Sequence, residues 1–373
     1  MQPLSRRPHV VIAGGGIAGV EALLALRELA GQRISLELIS PEPDLVYRPF
    51  AVAEPFGIEE TRRFALDDIC ADCDAHQTPN ALTFVDVATG RVETDGPTVD
   101  YDALVVAIGA RRREWLPGAV TFGGPESVGA FQNVLSDLMS GRARSIVFAL
   151  PPGATWALPL YELALMTARL FGAADRADVH VTLVTPERDP LEIFGRATRN
   201  RVRALLSGWG VELRATSQPL QLVPGILLTS TEALPADRVV VLPEIEGPRV
   251  PGLPSDDHGF LPIDGHAAVR GAANVYAAGD GTDSPIKQGG LGSQQADAAA
   301  EAIAAAMGAP CRPEPVRADL CAQLLTGAEP LYLRARQGGA AHAAYAPMWW
   351  PAGKVAARYL GPYLAEKGLP ALA

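Results

Sequence analysis

The sequence predicts an α/β protein made of two similar strand–helix–strand units and a short C-terminal element. An apolar strand pattern near the N-terminus leads directly into a glycine-rich turn and a helix pattern. A strand–helix–strand segment of similar plan recurs in the middle of the chain. The 37 glycines and 32 prolines lie largely in turns between such segments rather than in low-complexity runs. Two Rossmann-like dinucleotide-binding domains in tandem are the simplest arrangement that fits.

The first unit starts with an apolar strand at residues 9–13. Gly14, Gly16 and Gly19 follow it, and leucines at helical spacing precede a second strand pattern at residues 34–39. Together these segments predict a right-handed βαβ unit. Backbone N–H groups at the start of such a helix can hold a pyrophosphate. The alternative, a tight packing turn without a ligand, is less favoured because the glycines stand between a strand and a helix.

An acidic residue is expected at the end of the second strand, where it would bind the hydroxyls of a ribose. Ser40 stands there instead, and Glu42 follows two residues later. Either side chain could bind the ribose. Alternatively, Glu42 is a solvated carboxylate in a turn.

The second unit has strand patterns at residues 145–150 and 179–184 and a helix pattern at residues 160–171. Its connecting turn differs from the first, because Leu150–Pro159 contains one glycine, three prolines and Trp156. Proline lacks the N–H donor that a phosphate needs, and the indole would fill the space of a pyrophosphate. We therefore expect an eroded NAD(P) site in this unit.

Further strand and helix patterns complete the two units. A long alanine-rich helix at about residues 291–307 follows Gly289 and Gly290, and a linker follows that helix. Strands are predicted at residues 82–87, 91–94, 98–101, 103–109 and 274–278.

Composition and charge exclude several functional classes. Lys and Arg number 32 against 42 Asp and Glu, and the formal charge of −10 argues against a general nucleic-acid binder. Four cysteines are too few for a disulfide scaffold and predict a cytoplasmic location. The N-terminal segment lacks the pattern of a signal peptide, and no apolar run approaches the ~18 residues of a membrane span. Cys70 and Cys73 have the spacing of a redox or metal pair but lack a second ligand pair, so buried structural thiols are favoured and no metal site is predicted.

Three motifs occur in a fixed order: Gly14–Gly19, the strand end Ala107–Ile108–Gly109–Ala110, and Asn274–Val275–Tyr276–Ala277–Ala278–Gly279–Asp280. In this order they resemble the pyridine nucleotide-disulfide oxidoreductase superfamily, the flavoproteins with two dinucleotide-binding domains. Tyr47–Arg48–Pro49 is similar to the segment that runs along FAD in the reductase branches. Residues 158–163 and the C-terminal Trp pair resemble the sulfide:quinone oxidoreductase and type II NADH dehydrogenase branch most.

The resemblance implies a bound FAD and a set of residues that hold it. The glycine turn would hold the pyrophosphate, with Arg48 near it, and Ser40 or Glu42 would meet the ribose. Leu82 would meet the adenine through its backbone. Asp280 would bind a hydroxyl or a phosphate-bound water.

The resemblance also places the helix after Gly289 and Gly290. These glycines would let the helix aim its positive N-terminus at the flavin pyrimidine ring. Lys287 could act in the same way or be solvated, and it is the only catalytic candidate. The complete set of predicted cofactor-binding residues is Gly14, Gly16, Ile17, Ala18, Gly19, Ser40, Glu42, Arg48, Pro49, Leu82, Ala107, Ile108, Gly109, Gly279, Asp280, Lys287, Gln288, Gly289 and Gly290.

The implied FAD-binding domain is discontinuous and covers residues 1–115 and 245–310. A second Rossmann-like domain at 116–244 and a C-terminal element at 311–373 complete the predicted organisation. Arg111–Arg113 is predicted to be a solvated loop after the flavin-domain strand, with binding of a substrate anion as the alternative.

The sequence departs from the family in its cysteines, because none lies between Cys73 and Cys311. Sulfide chemistry in the resembling branch needs cysteines at the flavin, and the paired cysteines of disulfide reductases are also missing. We therefore predict an FAD-dependent oxidoreductase that passes electrons between small molecules through its flavin, without a redox-active disulfide. The alternatives are an NAD(P)H:acceptor reductase of the quinone type and a redox-silent FAD-binding module.

The C-terminal segment contains Trp349 and Trp350 side by side, followed by a predicted helix to about Leu360 that carries Lys354 and Arg358. We predict that this tail closes the flavin site. A membrane-facing or quinone-facing surface is the alternative. It is less favoured because two cations in a chain of charge −10 attract anionic lipid weakly.

Overall fold

Two parallel five-stranded sheets are the largest sheets of the described part of the chain. The structure is a computed structural model that describes residues 6–174, 176 and 178–370. In chain order its strands are β1 His9–Ala13, β2 Ser35–Ile39, β3 Asp44–Tyr47, β4 Arg62–Ala65, β5 Ala75–Thr78, β6 Leu82–Asp86, β7 Arg91–Thr94, β8 Val99–Asp100, β9 Ala103–Val106, β10 Arg111–Arg113, β11 Val120–Thr121, β12 Ser145–Ala149, β13 His180–Val184, β14 Glu212–Arg214, β15 Pro219–Val223, β16 Ile226–Thr229, β17 Ala233–Pro235, β18 Arg238–Val241, β19 Glu244–Glu246, β20 Val275–Ala277, β21 Asp319–Leu324, β22 Leu331–Arg336 and β23 Ala341–Ala344.

The helices connect these strands and cover the sheets. The α-helices are α1 Ile17–Ala30, α2 Leu66–Asp72, α3 Val128–Met139, α4 Leu158–Ala173, α5 Gly195–Gly208, α6 Gly289–Ala306 and α7 Leu360–Glu366. Short 3-10 helices lie at Gly31–Arg33, Arg48–Phe50, Glu54–Phe56, Pro125–Ser127 and Glu192–Phe194.

The first sheet has the strand order β20-β9-β1-β2-β5, and all its pairings are parallel. Helices α1 and α6 pack on each other and on one face of this sheet, with Val10, Leu23, Leu38 and Ile303 in the core between them. The chain leaves β1 toward β2 on one side, while β9 lies on the other. Ligands of doubly wound sheets bind at the carboxyl ends of the strands beside such a switch point.

The second sheet has the order β11-β18-β12-β13-β14 and is also parallel throughout. Helix α4 buries Leu160, Leu163 and Phe171 in the same core as Ile146 and Leu183 of the sheet. In the three central strands, β18, β12 and β13, every residue but the first is buried, as expected for strands covered on both faces. The predicted α/β class with two Rossmann-like sheets is confirmed.

The antiparallel parts link and flank the two sheets. A two-stranded ribbon of β10 and β19 joins the chain where it leaves the first sheet to the chain where it returns. Three-stranded sheets form from β6-β7-β8, β15-β16-β17 and β21-β22-β23. The limits predicted for the domains, at 115/116, 244/245 and 310/311, remain a prediction that this ribbon supports.

The C-terminal element contacts both halves of the molecule. Leu324 of β21 packs into the core of the second sheet, whereas Leu360 and Leu364 of α7 pack into the core of the first. The helix predicted to run up to Leu360 was wrong, because residues 351–359 form no regular helix and α7 only begins at Leu360. The buried carboxylate of Glu21 accepts the backbone N–H groups of residues 358–360 and thereby fixes where this helix starts.

Candidate cofactor site

The glycine turn after β1 is closed on one side and open on the other. Gly14 has a φ of +115°, and a Cβ there would lie 2.3 Å from the carbonyl oxygen of Ala107. A Cβ on Gly19 would lie 1.8 Å from the carbonyl oxygen of Gly14, so packing excludes side chains at both positions. A Cβ on Gly16 would meet nothing within 4 Å, so this glycine faces open space at the start of α1. The turn therefore leaves a helix N-terminus accessible to an anion.

The first turn of α1 contacts two segments from far along the chain. The Cβ of Ala18 lies 3.2 Å from a Cβ built on Gly279, which has a φ of +87°. The side chain of Ile17 approaches Gly289 equally closely. The glycine turn, the Gly279 turn and the start of α6 thus meet at one edge of the sheet.

The predicted strand end after β9 lies between these turns. The N–H of Ala107 donates to the carbonyl of Ala13 at 2.7 Å. The carbonyl oxygen of Gly109 lies 2.8 Å from a Cβ built on Gly281, so a side chain at Gly281 would collide with it. Ile108 exposes 41% of its surface beside these contacts.

Asp280 lies in a partly buried position among cations. Burial raises the pKa of its carboxyl, while Lys287, Arg112 and Arg48 act in the opposite direction. The preceding N–H of Gly279 donates to the side-chain oxygen of Gln295 on α6 at 2.8 Å. This bond fixes the turn that presents the carboxylate.

Lys287 is buried, so the solvated alternative for this residue is wrong. Its ammonium donates to the carbonyl of Thr282 and lies 3.6 Å from the centroid of the Phe260 ring. Burial lowers the pKa of the ammonium to about 8, and Asp280 is the largest opposing influence. The lysine is therefore a cation held against the Gly279–Asp280 turn.

Gln288 caps α6 at the predicted flavin-facing end. Its side-chain oxygen accepts the N–H of Leu291 at 2.7 Å, and its amide donates to the carbonyl of Cys321 at 3.1 Å. The neighbouring glycines lie against the tail: a Cβ on Gly289 would be 3.3 Å from Val355, and one on Gly290 would be 3.3 Å from the carbonyl of Ala356. The tail therefore covers the start of α6.

Ser40 lies beside the glycine turn, but its hydroxyl has a partner within the chain. The hydroxyl donates to the carbonyl of Glu42 at 3.2 Å, and the Ser40 N–H donates to the carbonyl of Thr78. The side chain of Glu42 is exposed. Leu82 lies further along, in β6, and packs on a separate apolar cluster with Ile39.

The predicted segment along the cofactor begins at Arg48, half exposed, and continues through Pro49 in a 3-10 helix. Just before it, the buried hydroxyl of Tyr47 hydrogen-bonds to the backbone of Val355. Burial raises the pKa of this phenol. Tyr47 thus connects the segment with the tail, a link that the sequence pattern did not show.

At this edge, sequence reasoning did not identify the position of Arg112 or of its partner Glu126. Arg111–Arg113 is a strand rather than a solvated loop, and Arg112 turns back toward Asp280. Its guanidinium forms an ion pair with Glu126 of the second half at 3.3 Å, and Arg48 reaches the same carboxylate at 3.8 Å. Arg112 has this position because β10 pairs with β19, which lies 131 residues later in the chain, and no local sequence pattern predicts that pairing.

The cysteines lie in unreactive surroundings. Burial raises the pKa of the Cys70 and Cys321 thiols to about 12 and that of Cys73 to about 11. All four cysteines are free thiols. Such pKa values leave almost no thiolate near neutral pH.

The turn of the second unit is filled by its own residues. The ring of Trp156 packs edge-on against Phe194, with 5.8 Å between centroids. Glu187, which follows β13 as Glu42 follows β2, accepts a hydrogen bond from the Tyr161 hydroxyl at 2.6 Å and another from Thr185 at 3.0 Å. Burial raises the pKa of the Glu187 carboxyl. A nucleotide would have to displace these partners.

Within the described parts of the chain, no group of three or more His, Cys, Asp or Glu side chains is placed to hold a metal ion. The helices of residues 6–370 that the structure describes include none long and apolar enough to cross a membrane.

The residues at the edge of the first sheet fit a dinucleotide. The open side of Gly16 and the start of α1 suit a diphosphate, and the partly buried Asp280 suits hydroxyl groups. Ile17 lies against Gly289 at the start of α6, so one elongated ligand can touch both the glycine turn and this helix start.

No protein-family model matches the sequence. The chain is 27% identical over 296 residues to the biphenyl dioxygenase system ferredoxin–NAD(+) reductase component of Paraburkholderia xenovorans (strain LB400), which covers 75% of this chain and 69% of that protein. It is 28% identical over 322 residues to the chlorobenzene dioxygenase ferredoxin reductase component of Cupriavidus sp. (strain PS12), covering 81% and 73% of the two chains.

Solved structures agree with these relatives in fold. The sulfide:quinone oxidoreductase of Aquifex aeolicus superposes with a TM-score of 0.80 at 20% identity, over 90% of this chain and 86% of that one. Sequence motifs, sheet topology and relatives therefore converge. These relatives and structural neighbours are flavoproteins of the pyridine nucleotide-disulfide oxidoreductase family, which the sequence motifs also resemble, and they support an FAD-dependent oxidoreductase.

Proposed function

We propose that this flavoprotein transfers electrons between a small donor and an acceptor through its FAD, without a redox-active disulfide. The observation that carries the proposal is the meeting of the Gly14–Gly19 turn, the Gly279–Asp280 turn and the start of α6 at one sheet edge. Bound FAD supplies hydride transfer and single-electron transfer. The protein supplies binding, charge and exclusion of water.

Each predicted residue has a proposed task at this edge. Gly14, Gly16 and Gly19 would hold the diphosphate at the start of α1, and Asp280 would bind hydroxyl groups. The N–H groups at the start of α6 would stabilise negative charge on the pyrimidine ring. The remaining predicted residues would form the walls, namely Ile17, Ala18, Ser40, Glu42, Arg48, Pro49, Leu82, Ala107, Ile108, Gly109, Gly279, Lys287, Gln288, Gly289 and Gly290.

The absence of thiol chemistry is supported by the cysteine surroundings. Cys70 lies on α2 and Cys73 directly follows this helix, both in the core between the sheet and its helices and with pKa values raised by burial. A thiol that stays protonated is a poor nucleophile toward a disulfide or a flavin. Donors would therefore reach the flavin directly. We keep the cytoplasmic location as part of this proposal, because free thiols persist in a reducing compartment.

A purification followed by an anaerobic titration tests the proposal. The purified protein is expected to be yellow, and the cofactor released by heat should migrate as FAD rather than FMN. Titration with NADH, NADPH, sulfide and a thiol should identify a donor that bleaches the flavin. A colourless protein that cannot be reconstituted with FAD would contradict the proposal, and a flavin that no donor reduces would favour a redox-silent binding module.

A second candidate is an NAD(P)H:acceptor reductase, and the relatives favour it. The relative from Paraburkholderia xenovorans is named a ferredoxin–NAD(+) reductase component. The second sheet of this chain also has the parallel topology of a nucleotide-binding domain. Against this candidate stand Trp156 on Phe194 and the prolines of the turn. In this case the acceptor would be a small redox carrier such as a ferredoxin or a quinone.

A further inference from the structure

We infer that Arg112 is an additional anion-binding residue of the cofactor site and contacts the diphosphate of FAD. The inference rests on the proposed FAD binding and adds a residue that neither the glycine turn nor the family resemblance supplies. It starts from the alternation of three consecutive arginines along β10.

The arginine that follows Arg112 on this strand is engaged elsewhere. Arg113 pairs with Glu244 and Glu246 on the neighbouring strand β19. Side chains of successive strand residues point to opposite faces, so Arg112 projects the other way. Its side chain is 35% exposed, less than the 55% of Arg113.

Gly123 lies beside the Arg112 side chain. A Cβ built on Gly123 would lie 3.4 Å from the Cδ of Arg112, which is an ordinary van der Waals contact. The guanidinium then reaches Glu126, which follows in the 3-10 helix of the second half. The arginine therefore lies across the boundary between the two sheets.

Two arginines and two carboxyl groups meet at this point. Arg48 and Arg112 approach the same oxygen of Glu126, at 3.8 Å and 3.3 Å. Both also interact electrostatically with Asp280 at the mouth of the glycine turn. Burial lowers the pKa of Arg112, and the like charge of Arg48 lowers it further. Two guanidinium groups that share one exposed carboxylate are suited to exchange it for a stronger anion.

The chemistry of that anion follows from the fork shape of guanidinium groups. Arginine binds phosphate oxygens through two parallel N–H donors. The diphosphate proposed at the start of α1 is such a group near Arg112, because Arg112 interacts with Asp280 and the adjacent Gly279 contacts Ala18 in the first turn of α1. Glu126 would then act as a competitor that occupies the arginines until the diphosphate binds.

FAD release from the full-length holoprotein tests the inference. On dilution, flavin fluorescence reports the dissociation constant for FAD in the wild type and in R112M, R112K and E126Q. R113M is the matched control, since it removes a neighbouring charge on the same strand. We expect R112M to raise the Kd at least about tenfold and R112K to raise it less, because a charge-assisted hydrogen bond stabilises binding by ~1.5–3 kcal/mol. R113M should stay within about twofold.

E126Q separates a binding role from a structural one. If Glu126 competes with the ligand, E126Q leaves the affinity for FAD unchanged or tightens it. If the ion pair only holds the two halves together, E126Q weakens FAD binding as R112M does, and the inference is wrong. Adenosine and ADP serve as competing probes, and R112M should weaken the competition by ADP but not by adenosine.

The remaining outcomes show which of the two proposals is wrong, the proposed function or the role of Arg112. A wild-type protein that carries no FAD contradicts the proposed function. A wild-type protein that binds FAD with the same Kd as R112M contradicts only the role of Arg112, as does a Kd that R113M changes equally. Circular dichroism and thermal unfolding of each variant show whether a change in Kd reflects loss of fold, and R112K retains the charge for that comparison.

Discussion

Lys354 and Glu162 form an ion pair in which the side chains are only 5% and 1% exposed. The ammonium also donates to the carbonyl of Gln323 at 3.2 Å, and the carboxylate accepts the N–H of Leu325 at 2.8 Å. The pair thus joins the tail, helix α4 and strand β21. Because Val355 lies against Gly289, the pair also holds the tail across the start of α6.

Breaking this pair should destabilise the protein strongly. K354M leaves the Glu162 carboxylate buried without its counter-charge, and removing one partner of a buried pair costs ~3–5 kcal/mol. Urea unfolding measures the change in the free energy of unfolding. K367M is the control, since Lys367 pairs with Asp72 on the surface, where the loss should be below ~1 kcal/mol.

The flavin supplies a second readout for the same variant. With the tail released, iodide should quench flavin fluorescence more strongly in K354M than in K367M. The double variant K354M/E162L should recover part of the stability, because it leaves no unpaired charge. Equal stability of K354M and K367M would show that the pair does not hold the tail.

Local sequence patterns predicted the parts of this molecule that local forces determine. The first βαβ unit follows from strand and helix periodicity and from glycines at positions 14 and 19, where a side chain would collide with the backbone. The tail could not be predicted in this way. Lys354 was expected on a helix, whereas it lies in irregular backbone and is buried against Glu162, 192 residues earlier in the chain.

The same distinction between local and long-range forces applies to the residues of the cofactor site. Motif order identified both glycine turns, whereas Arg112 was missed because its position depends on strand pairing with residues of β19. Hydropathy alone predicts a solvated Lys287. In the fold, its ammonium instead packs against the carbonyl of Thr282 and the ring of Phe260. Long-range pairing, not residue type, decides these cases.

Reduction by NAD(P)H should be slow or absent. Pro151 and Pro152 remove N–H donors from the turn of the second unit, and Trp156 packs on Phe194 within it. In stopped-flow experiments, NADH or NADPH should reduce the flavin well below ~10 per second, a typical turnover rate. W156G would open the turn and is the variant to compare. Rapid reduction of the wild type would show that the nucleotide binds in another way.

No cysteine should be needed for flavin reduction. The buried thiols of Cys70, Cys73 and Cys321 have pKa values raised to about 11 or 12 and stay protonated at neutral pH. A variant with these three and Cys311 changed to Ser should keep its flavin spectrum and its rate with any donor found. Each single variant serves as a control for folding. Loss of activity in Cys321→Ser with the fold intact would point to a thiol near the flavin.

The tail should not bind membranes. Trp349 packs edge-on against Tyr332 at 5.2 Å, while Trp350 is 79% exposed on its own. One exposed indole on a chain of charge −10 provides little attraction to anionic lipid. The full chain should therefore stay in the supernatant when vesicles with anionic lipid are sedimented, and so should a chain lacking residues 345–373. Sedimentation of the full chain that Trp350→Ser abolishes, with Trp349→Ser as the comparison, would reverse this prediction.

Stability should depend on pH through Asp297 on α6, which faces Glu21 on α1. Burial and the neighbouring Glu21 raise the pKa of Asp297 to about 9, from an ordinary value of 3.8. The folded state therefore binds a proton that the unfolded state has already lost across this range. The stabilisation is complete below about pH 4 and falls as the pH rises toward 9.

Asp297→Asn should remove this dependence. The amide can still donate a hydrogen bond to Glu21, which keeps its three backbone N–H partners at the start of α7. Thermal unfolding from pH 5 to 9 should show the Tm of the wild type falling relative to that of the variant as the pH rises. Asp95→Asn is the control, because the pKa of this exposed carboxyl is lowered and it is ionised in both states above pH 5. Parallel Tm curves for the wild type and Asp297→Asn would show that the two carboxyls do not share a proton.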